Sequence, residues 1–311
     1  MLISGVGSVN NSTTTAAPGA NAGTYSLTGF GGGSYTVTPS KTTGQNSITS
    51  NDAARVAQHV SSILPFTNNN QKVTADVTGN GAISSQDAAK IAQYVAGLPF
   101  SPPNLTGTWR FFVPPGPTFP VGTSPTSRTY ASVTSNLTGE DYIGLLIGEA
   151  TGNWTPTSAR PVGSWQSAVG SGPVKNIAVD LPQMVTSADK EIIIPVSLQN
   201  ASDKGIISYE FDLRYDPSVI QPQENAVDVA ETASRGLSVV VNATEPGLLR
   251  VVMYGAMPID ENGVLLNLRF TAVGKAGSVS PLTWERIMFN EGDPRVTAAD
   301  GQVEVFAATG D

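Results

Sequence analysis

Two stretches repeat apolar residues at a helical period, while most of the remaining chain alternates at a period of two. Ala88, Ile91, Ala92 and Val95 fall at i, i+3, i+4 and i+7; Ser84 or Ser85 can cap the start of the run, and Gly97 with Pro99 ends it. The residues from Ile48 to Val60 overlay those from Ile83 to Val95 almost one for one after a shift of 35 positions. The spacing predicts helices over 50–63 and 84–96, packed antiparallel through Val56, Val60, Ile91 and Val95. Elsewhere, short alternating runs bounded by Gly, Pro, Asn or Asp predict strands at 2–9, 24–27, 34–39, 107–113, 128–133 and 141–147. After the Pro-, Ser- and Gly-rich stretch 155–173, further strands are expected at 175–179, 191–198, 205–215, 237–242, 248–254, 263–272 and 302–306.

Immediately before the second helix, residues 76–87 place oxygen side chains at positions one, three, five, nine and twelve of a loop: Asp76, Thr78, Asn80, Ser84 and Asp87. Gly81 at position six suits a turn that needs positive φ, Ala82 at position seven offers its carbonyl, and Ile83 anchors the loop. This is calcium-ligand spacing. The matching loop before the first helix departs from it, with Lys41 at position one, Gln45 at five and Asn46 at six; an ammonium at the first ligand position repels the ion, so one site is expected, not two. Glu149 to Asn153 echo Asp76 to Asn80, but Trp154 replaces the glycine and no helix follows, so a third site is not expected.

A calcium loop feeding a single helix, present twice, resembles the dockerin module. That resemblance implies Ca2+ as the cofactor and a partner-binding surface at loop positions ten and eleven and along the helix. Here these map to Ser85, Gln86, Gln93 and Tyr94, with Ser50, Asn51, Gln58 and His59 as symmetry mates. Residues 23–30 and 33–39, GTYSLTGF and GSYTVTP, resemble a hairpin of carboxypeptidase-regulatory-like and CnaB-like sandwiches, which implies a strand before residue 1 that this chain lacks. The runs IPVSLQN at 194–200, GIISYEFDLRYDPSVI at 205–220, LLNLRF at 265–270 and DGQV at 300–303 together resemble cohesin, the β-sandwich that binds dockerins. The organisation implied is mainly β, with two β-sandwich domains. The first spans 1–40 and 104–156 and carries an inserted α-helical dockerin-like unit at 41–99; a linker at 157–174 leads to a cohesin-like domain at 175–307.

Composition narrows the function classes. The 311 residues suffice for several cores, only 14% are charged, and 32 Gly and 22 Pro favour turn-rich β-structure. A net charge of −8 argues against nucleic acid and anionic membrane surfaces, and no apolar run is long enough to span a bilayer. Cysteine is absent and the single histidine, His59, sits where the sister repeat has Tyr94, so nucleophile and base chemistry find no support. The carboxylate pairs Asp212 with Asp216 and Glu285 with Glu291 read as solvated or structural. Trp109, Trp154, Trp165 and Trp284 could stack on sugars, although Trp109 and Trp284 fit sandwich cores or rims better. Seven sequons, at Asn10, Asn11, Asn104, Asn136, Asn153, Asn200 and Asn242, offer glycosylation sites.

The sequence thus points to a non-catalytic extracellular or cell-surface scaffold. Its expected partners are copies of itself, joined head to tail as in a fibre and by strand donation, or other cohesin- and dockerin-bearing proteins. Residues 1–5 do not form a signal peptide, so the export signal is expected elsewhere. A carbohydrate-binding accessory module of a larger hydrolase, with glycans as partners, is the alternative.

Overall fold

The computed structural model describes residues 1–17, 22–99, 102–154 and 176–306. The linker assigned to 157–174, Trp165 and the chain beyond Phe306 lie outside the described residues. In chain order the elements begin with β1 (Leu2–Gly7), β2 (Asn11–Thr14), β3 (Tyr35–Ser40), α1 (Ser50–Val60), α2 (Asn69–Ala75) and α3 (Ser85–Val95). They continue with β4 (Trp109–Phe112), β5 (Arg128–Tyr130), β6 (Ile143–Leu146), β7 (Asn176–Asp180), β8 (Gln183–Ser187) and β9 (Glu191–Gln199). The remainder are β10 (Ile206–Arg214), β11 (Ile220–Asp228), β12 (Ser238–Asn242), β13 (Leu248–Ile259), β14 (Gly263–Ala272), β15 (Val279–Phe289), β16 (Arg295–Ala299) and β17 (Gly301–Phe306).

Two compact units emerge. The first gathers the described parts of Met1–Ile48, Pro65–Lys90 and Ser101–Arg160; the second gathers those of Thr49–Leu64, Ile91–Phe100 and Pro161–Asp311. The division cuts through the 41–99 stretch, so that α1 belongs to the second unit and the loop 76–87 to the first.

In the first unit, β1 alternates Ile3 and Gly5 inward, and β3 turns Tyr35, Val37 and Pro39 to the same interior. The antiparallel sheet runs β2-β1-β3-β5, and β4 pairs antiparallel with β6. β1 has a neighbour on each side, because residues 11–14 fold back onto it as β2; among the described residues the open edges of this sheet are those of β2 and β5. Residues 24–27, expected as a strand, are irregular between two left-handed glycines, Gly23 and Gly29. The hydroxyl of Tyr142 donates to the Val37 carbonyl at 2.7 Å and that of Tyr130 to Glu140 at 2.7 Å, tying β3 and β5 to the segment before β6.

The second unit is a two-sheet sandwich. One sheet runs β12-β13-β10-β15-β17-β8 and the other β11-β14-β9-β7-β16, with the pairs β7/β16 and β8/β17 parallel. Alternation along β10 sends Tyr209, Phe211 and Leu213 into a core shared with Ile194, Val196 and Leu198 of β9, and Leu266, Leu268 and Phe270 of β14. Each fully buried Leu, Ile or Phe contributes about 1.5–3 kcal/mol, which makes this cluster the main source of the unit's stability.

Candidate functional site

Both α1 and α3 open with the same local device. Thr49 caps α1 in a capping box: its hydroxyl accepts from Asn51 N, while the Asp52 carboxylate accepts from Thr49 N at 2.8 Å. Ser84 does the same for α3, its hydroxyl accepting from Gln86 N and its own N–H donating to Asp87 Oδ2 at 2.9 Å. Position twelve of each loop, Asp52 or Asp87, therefore closes a capping box. α1 ends at Val60 and α3 at Val95; Val56 and Ile91 are fully buried, Val95 is half-buried and Val60 is exposed.

The loop 76–87 converges on two buried carboxylates. Asp76 accepts from Asn80 N at 3.1 Å and Gly81 N at 2.8 Å, and Asp87 Oδ1 accepts from Thr78 N at 3.0 Å. The Thr78 hydroxyl lies 3.2 Å from Asp76 Oδ1 and 3.0 Å from Asp87 Oδ1. One hydroxyl proton cannot serve both carboxylates, so two anionic oxygens meet a third oxygen with a proton too few. A divalent cation would relieve that crowding. Gly79 and Gly81 both adopt left-handed φ, which bends the backbone around the site, and Gly81 passes so close to Pro120 that a Cβ there would lie 3.1 Å from the proline ring.

The donor set of Asp76, Thr78, Asn80, Ser84 and Asp87 with the Ala82 carbonyl is all oxygen and fits calcium, which would supply charge neutralisation and rigidity. Among the described residues no group of three or more acidic or imidazole side chains gathers as a metal cluster, so the loop's charge for a cation is two carboxylates. A seven-residue helix, α2, runs straight into Asp76, where the repeat pattern led us to expect none; its run NNQKVTA is too polar and short to declare itself. The loop is tied down by Leu105 N donating to the Val77 carbonyl at 2.7 Å.

The loop preceding α1 is built otherwise. Lys41 at position one points its ammonium over two indoles, 4.1 Å from the Trp109 ring centroid and 4.2 Å from that of Trp154. Both indole N–H groups donate to loop carbonyls, Trp109 to Thr43 at 2.9 Å and Trp154 to Gly44 at 2.8 Å. Gly44 takes the left-handed turn at position four, as Gly79 does, but Asn46 at position six does not follow Gly81 into that region. Glu149 Oε1 collects Thr151 Oγ1, Gly152 N and Asn153 N in a turn like that of Asp76.

The other candidate site lies on the outer face of the sheet β12-β13-β10-β15. Alternation turns Ser208, Glu210, Val252 and Tyr254 away from the sandwich core, yet all four are buried, Glu210 to 1% exposure, because α1 lies against β10 and β13. Two carboxylates hold the first turn of α1. Glu210 Oε2 accepts from Ser50 N at 2.8 Å while its other oxygen pairs with Arg286. Glu291 accepts from Thr49 Oγ1 at 3.0 Å and Asn51 Nδ2 at 3.1 Å. Negative charge at a helix N-terminus complements the unsatisfied N–H groups and the macrodipole. Glu291 itself sits at φ 61, beside Asn290 at φ 40, whose side chain accepts from Ile207 N and Ser208 N and donates to the Gly205 carbonyl. That left-handed turn costs about 1 kcal/mol or more and aims the carboxylate at α1.

Farther along, Gln58 Nε2 donates to the Ala256 carbonyl at 3.5 Å. Beyond α3, the Ala96 carbonyl accepts from Asn242 Nδ2 at 2.8 Å, and Arg250 comes so near Gly97 that a Cβ there would lie 3.1 Å from its guanidinium. A donor and a cation thus meet a helix C-terminus, the electrostatic counterpart of the two glutamates.

Of the partner-binding residues expected from the sequence, Ser50, Asn51 and Gln58 all lie at this sheet, Ser85 and Gln86 are exposed, and Gln93, Tyr94 and His59 are half-buried, with burial raising the Tyr94 pKa. Glu291, expected to be solvated or structural, is a contact residue for α1, and Glu210, within a strand of alternating polar and apolar residues, carries no local sequence signal of its role. Trp109 and Trp154 have their rings taken by Lys41, and Trp284 packs edge-on against Phe211. Among the sequon asparagines, Asn10, Asn11, Asn136, Asn153 and Asn200 are exposed, Asn104 is half-buried, and Asn242 is buried with its amide nitrogen engaged. Among the described residues no helix is long and apolar enough to cross a membrane.

Comparison with known proteins matches the dockerin type I domain to residues 42–96 and the cohesin domain to residues 177–305. No curated protein sequence matches. Among solved structures, the third cohesin of ScaC from Acetivibrio cellulolyticus, in complex with the ScaB dockerin, is 22% identical over 42% of this chain and 99% of its own, with a TM-score of 0.36. The seventh ScaB type I cohesin from Pseudobacteroides cellulosolvens is 23% identical over 43% of this chain and 94% of its own, at 0.36. A non-cellulosomal cohesin from Archaeoglobus fulgidus is 17% identical over 42% and 92%, at 0.36. The CnaB-like resemblance of the first sheet finds no counterpart in these matches. The chain carries a dockerin type I domain and a cohesin domain, two non-catalytic interaction modules, on one polypeptide.

Proposed function

We propose that this protein is an extracellular, non-catalytic assembly subunit that recognises copies of itself through α1 and the sheet β12-β13-β10-β15. The observation that carries this reading is the grip of Glu210 and Glu291 on the Thr49-Ser50-Asn51 turn, made by ligand and receptor elements of the same chain. A chain that bears both halves of a complementary pair can satisfy them internally or with a neighbour. In the second case each contact is heterologous, and repetition gives a ring or a head-to-tail filament. The open edges of β2 and β5 are the places where a donated strand would add.

In this reading calcium at Asp76, Thr78, Asn80, Ala82, Ser84 and Asp87 stabilises the loop that leads into α3. Ser85, Gln86, Gln93 and Tyr94 remain the surface for a second cohesin-bearing partner. The exposed sequon asparagines are where glycans would attach. Electron microscopy and sedimentation of the purified chain over a range of concentrations test the proposal. Filaments or rings that grow with concentration, and that Glu210→Lys abolishes, are the expected result; monomers at every concentration with α1 engaged would leave only the internal contact and reject assembly by this route.

A further inference from the structure

The loop preceding α1 does not fit calcium, and the structure points to what replaces the ion. We propose that the Lys41 ammonium is the resident cation of that loop, so that the half of the dockerin domain which carries α1 is ordered without metal. Three independent features of the loop support this. The ammonium stands at the first ligand position, where a calcium loop needs an anion, and is held by the faces of Trp109 and Trp154 at 4.1 and 4.2 Å. The carbonyls of Thr43 and Gly44, oxygens a cation could have taken, are instead occupied by the two indole N–H groups. The backbone does not make the left-handed turn at position six, and the Asn46 amide nitrogen that stands there is a buried donor with no partner, which is the wrong polarity to face a metal.

The two indoles stand edge to face, with centroids 4.9 Å apart, so they form a corner whose faces both meet the ammonium. Burial works against the charge and lowers the Lys41 pKa from the usual lysine range; the two electron-rich faces oppose that loss. The chain continues from this loop directly into Thr49 and the turn that Glu210 and Glu291 hold. A metal-independent first loop therefore separates recognition by α1 from calcium, and leaves calcium to govern the loop 76–87.

Amide hydrogen exchange on the full chain, in calcium and in chelator, tests this. Residues 41–48 should show the same protection in both, while residues 76–87 gain protection from calcium. Lys41→Met should accelerate exchange of 41–48 about tenfold in either condition, the scale of two partly desolvated cation–π contacts, and Lys41→Arg should restore most of it. Calcium-dependent protection of 41–48 in the wild-type chain would overturn the proposal, as would a Lys41→Met chain whose first loop exchanges like wild type. Should residues 76–87 fail to respond to calcium, the reading of the second loop fails, and the Lys41→Met comparison still decides the first.

Discussion

The two halves of the dockerin domain have nearly the same helical sequence and differently built loops. The second half builds its loop on two buried carboxylates, Asp76 and Asp87, that crowd one hydroxyl, an arrangement that a cation from outside would complete. The first half carries its own cation in Lys41 and its own donors in Trp109 and Trp154. The capping boxes are preserved in both, Thr49 with Asp52 and Ser84 with Asp87. The helix and its start are alike in the two halves; the means of holding the loop differs.

The sharpest way to break the comparison is at the receptor. Glu210→Ala would strip the buried partner from Arg286 and from the first turn of α1, a loss of about 3–5 kcal/mol. Exchange protection of α1 should collapse while the sandwich core, monitored through β9 and β14, stays intact; a protected α1 would mean that apolar packing alone holds it. Next in size is the metal. Asp76→Ala should lower the melting temperature more in calcium than in chelator, where only the bonds from Asn80 N and Gly81 N are lost, with a gap of about 2.7 kcal/mol when calcium stands a hundredfold above its dissociation constant. Equal destabilisation in both conditions would reject the site.

A smaller effect separates the recognition residues of the halves. Asn51→Ala removes the bond to Glu291 and should weaken α1 engagement by about 1.5 kcal/mol, since hydrogen bonds to charged groups are worth about that much. Gln86→Ala, at the exposed matching position, should stay within about 0.5 kcal/mol of wild type. The smallest effect is alkaline. Burial pushes the Tyr142 hydroxyl up to about 12, and a phenol whose folded pKa is raised contributes stability that is full below the unfolded value of 10.0 and is lost as pH rises through the folded one. The first unit should therefore loosen between these values, and Tyr142→Phe should remove part of that loss in a tyrosinate titration.

Both long helices were legible in the sequence to within a few residues because their apolar period and caps are local properties. The strands β9, β10, β13 and β14 were legible for the same reason, being buried on alternate positions. β11 and β15 were not: β11 carries a run of polar residues and a register shift between Pro222 and Val227, and β15 shifts register between Trp284 and Arg286, so the alternation is broken in sequence although the pairing holds in space. β8 and β16 were missed because each is short and has no fully buried residue, held by parallel pairing with distant strands. The convergence of Asp76, Thr78 and Asp87 could be read from spacing alone. Glu210 and Glu291 could not, since a charged residue on the outward side of a strand or on a turn reads as solvated until the element covering it is known.

The central claim is that α1 sits on the cohesin sheet independently of calcium. The chain has no cysteine, so labels can be placed without background. Spin labels at Gln58 and Ala256, whose side chain and carbonyl lie 3.5 Å apart, report the contact directly by electron–electron distance measurement. Spin dilution with unlabelled chains then shows whether the pair lies within one chain or between two. The account expects one short distance, unchanged when calcium is replaced by chelator; a short distance in calcium that lengthens or broadens in chelator would contradict it.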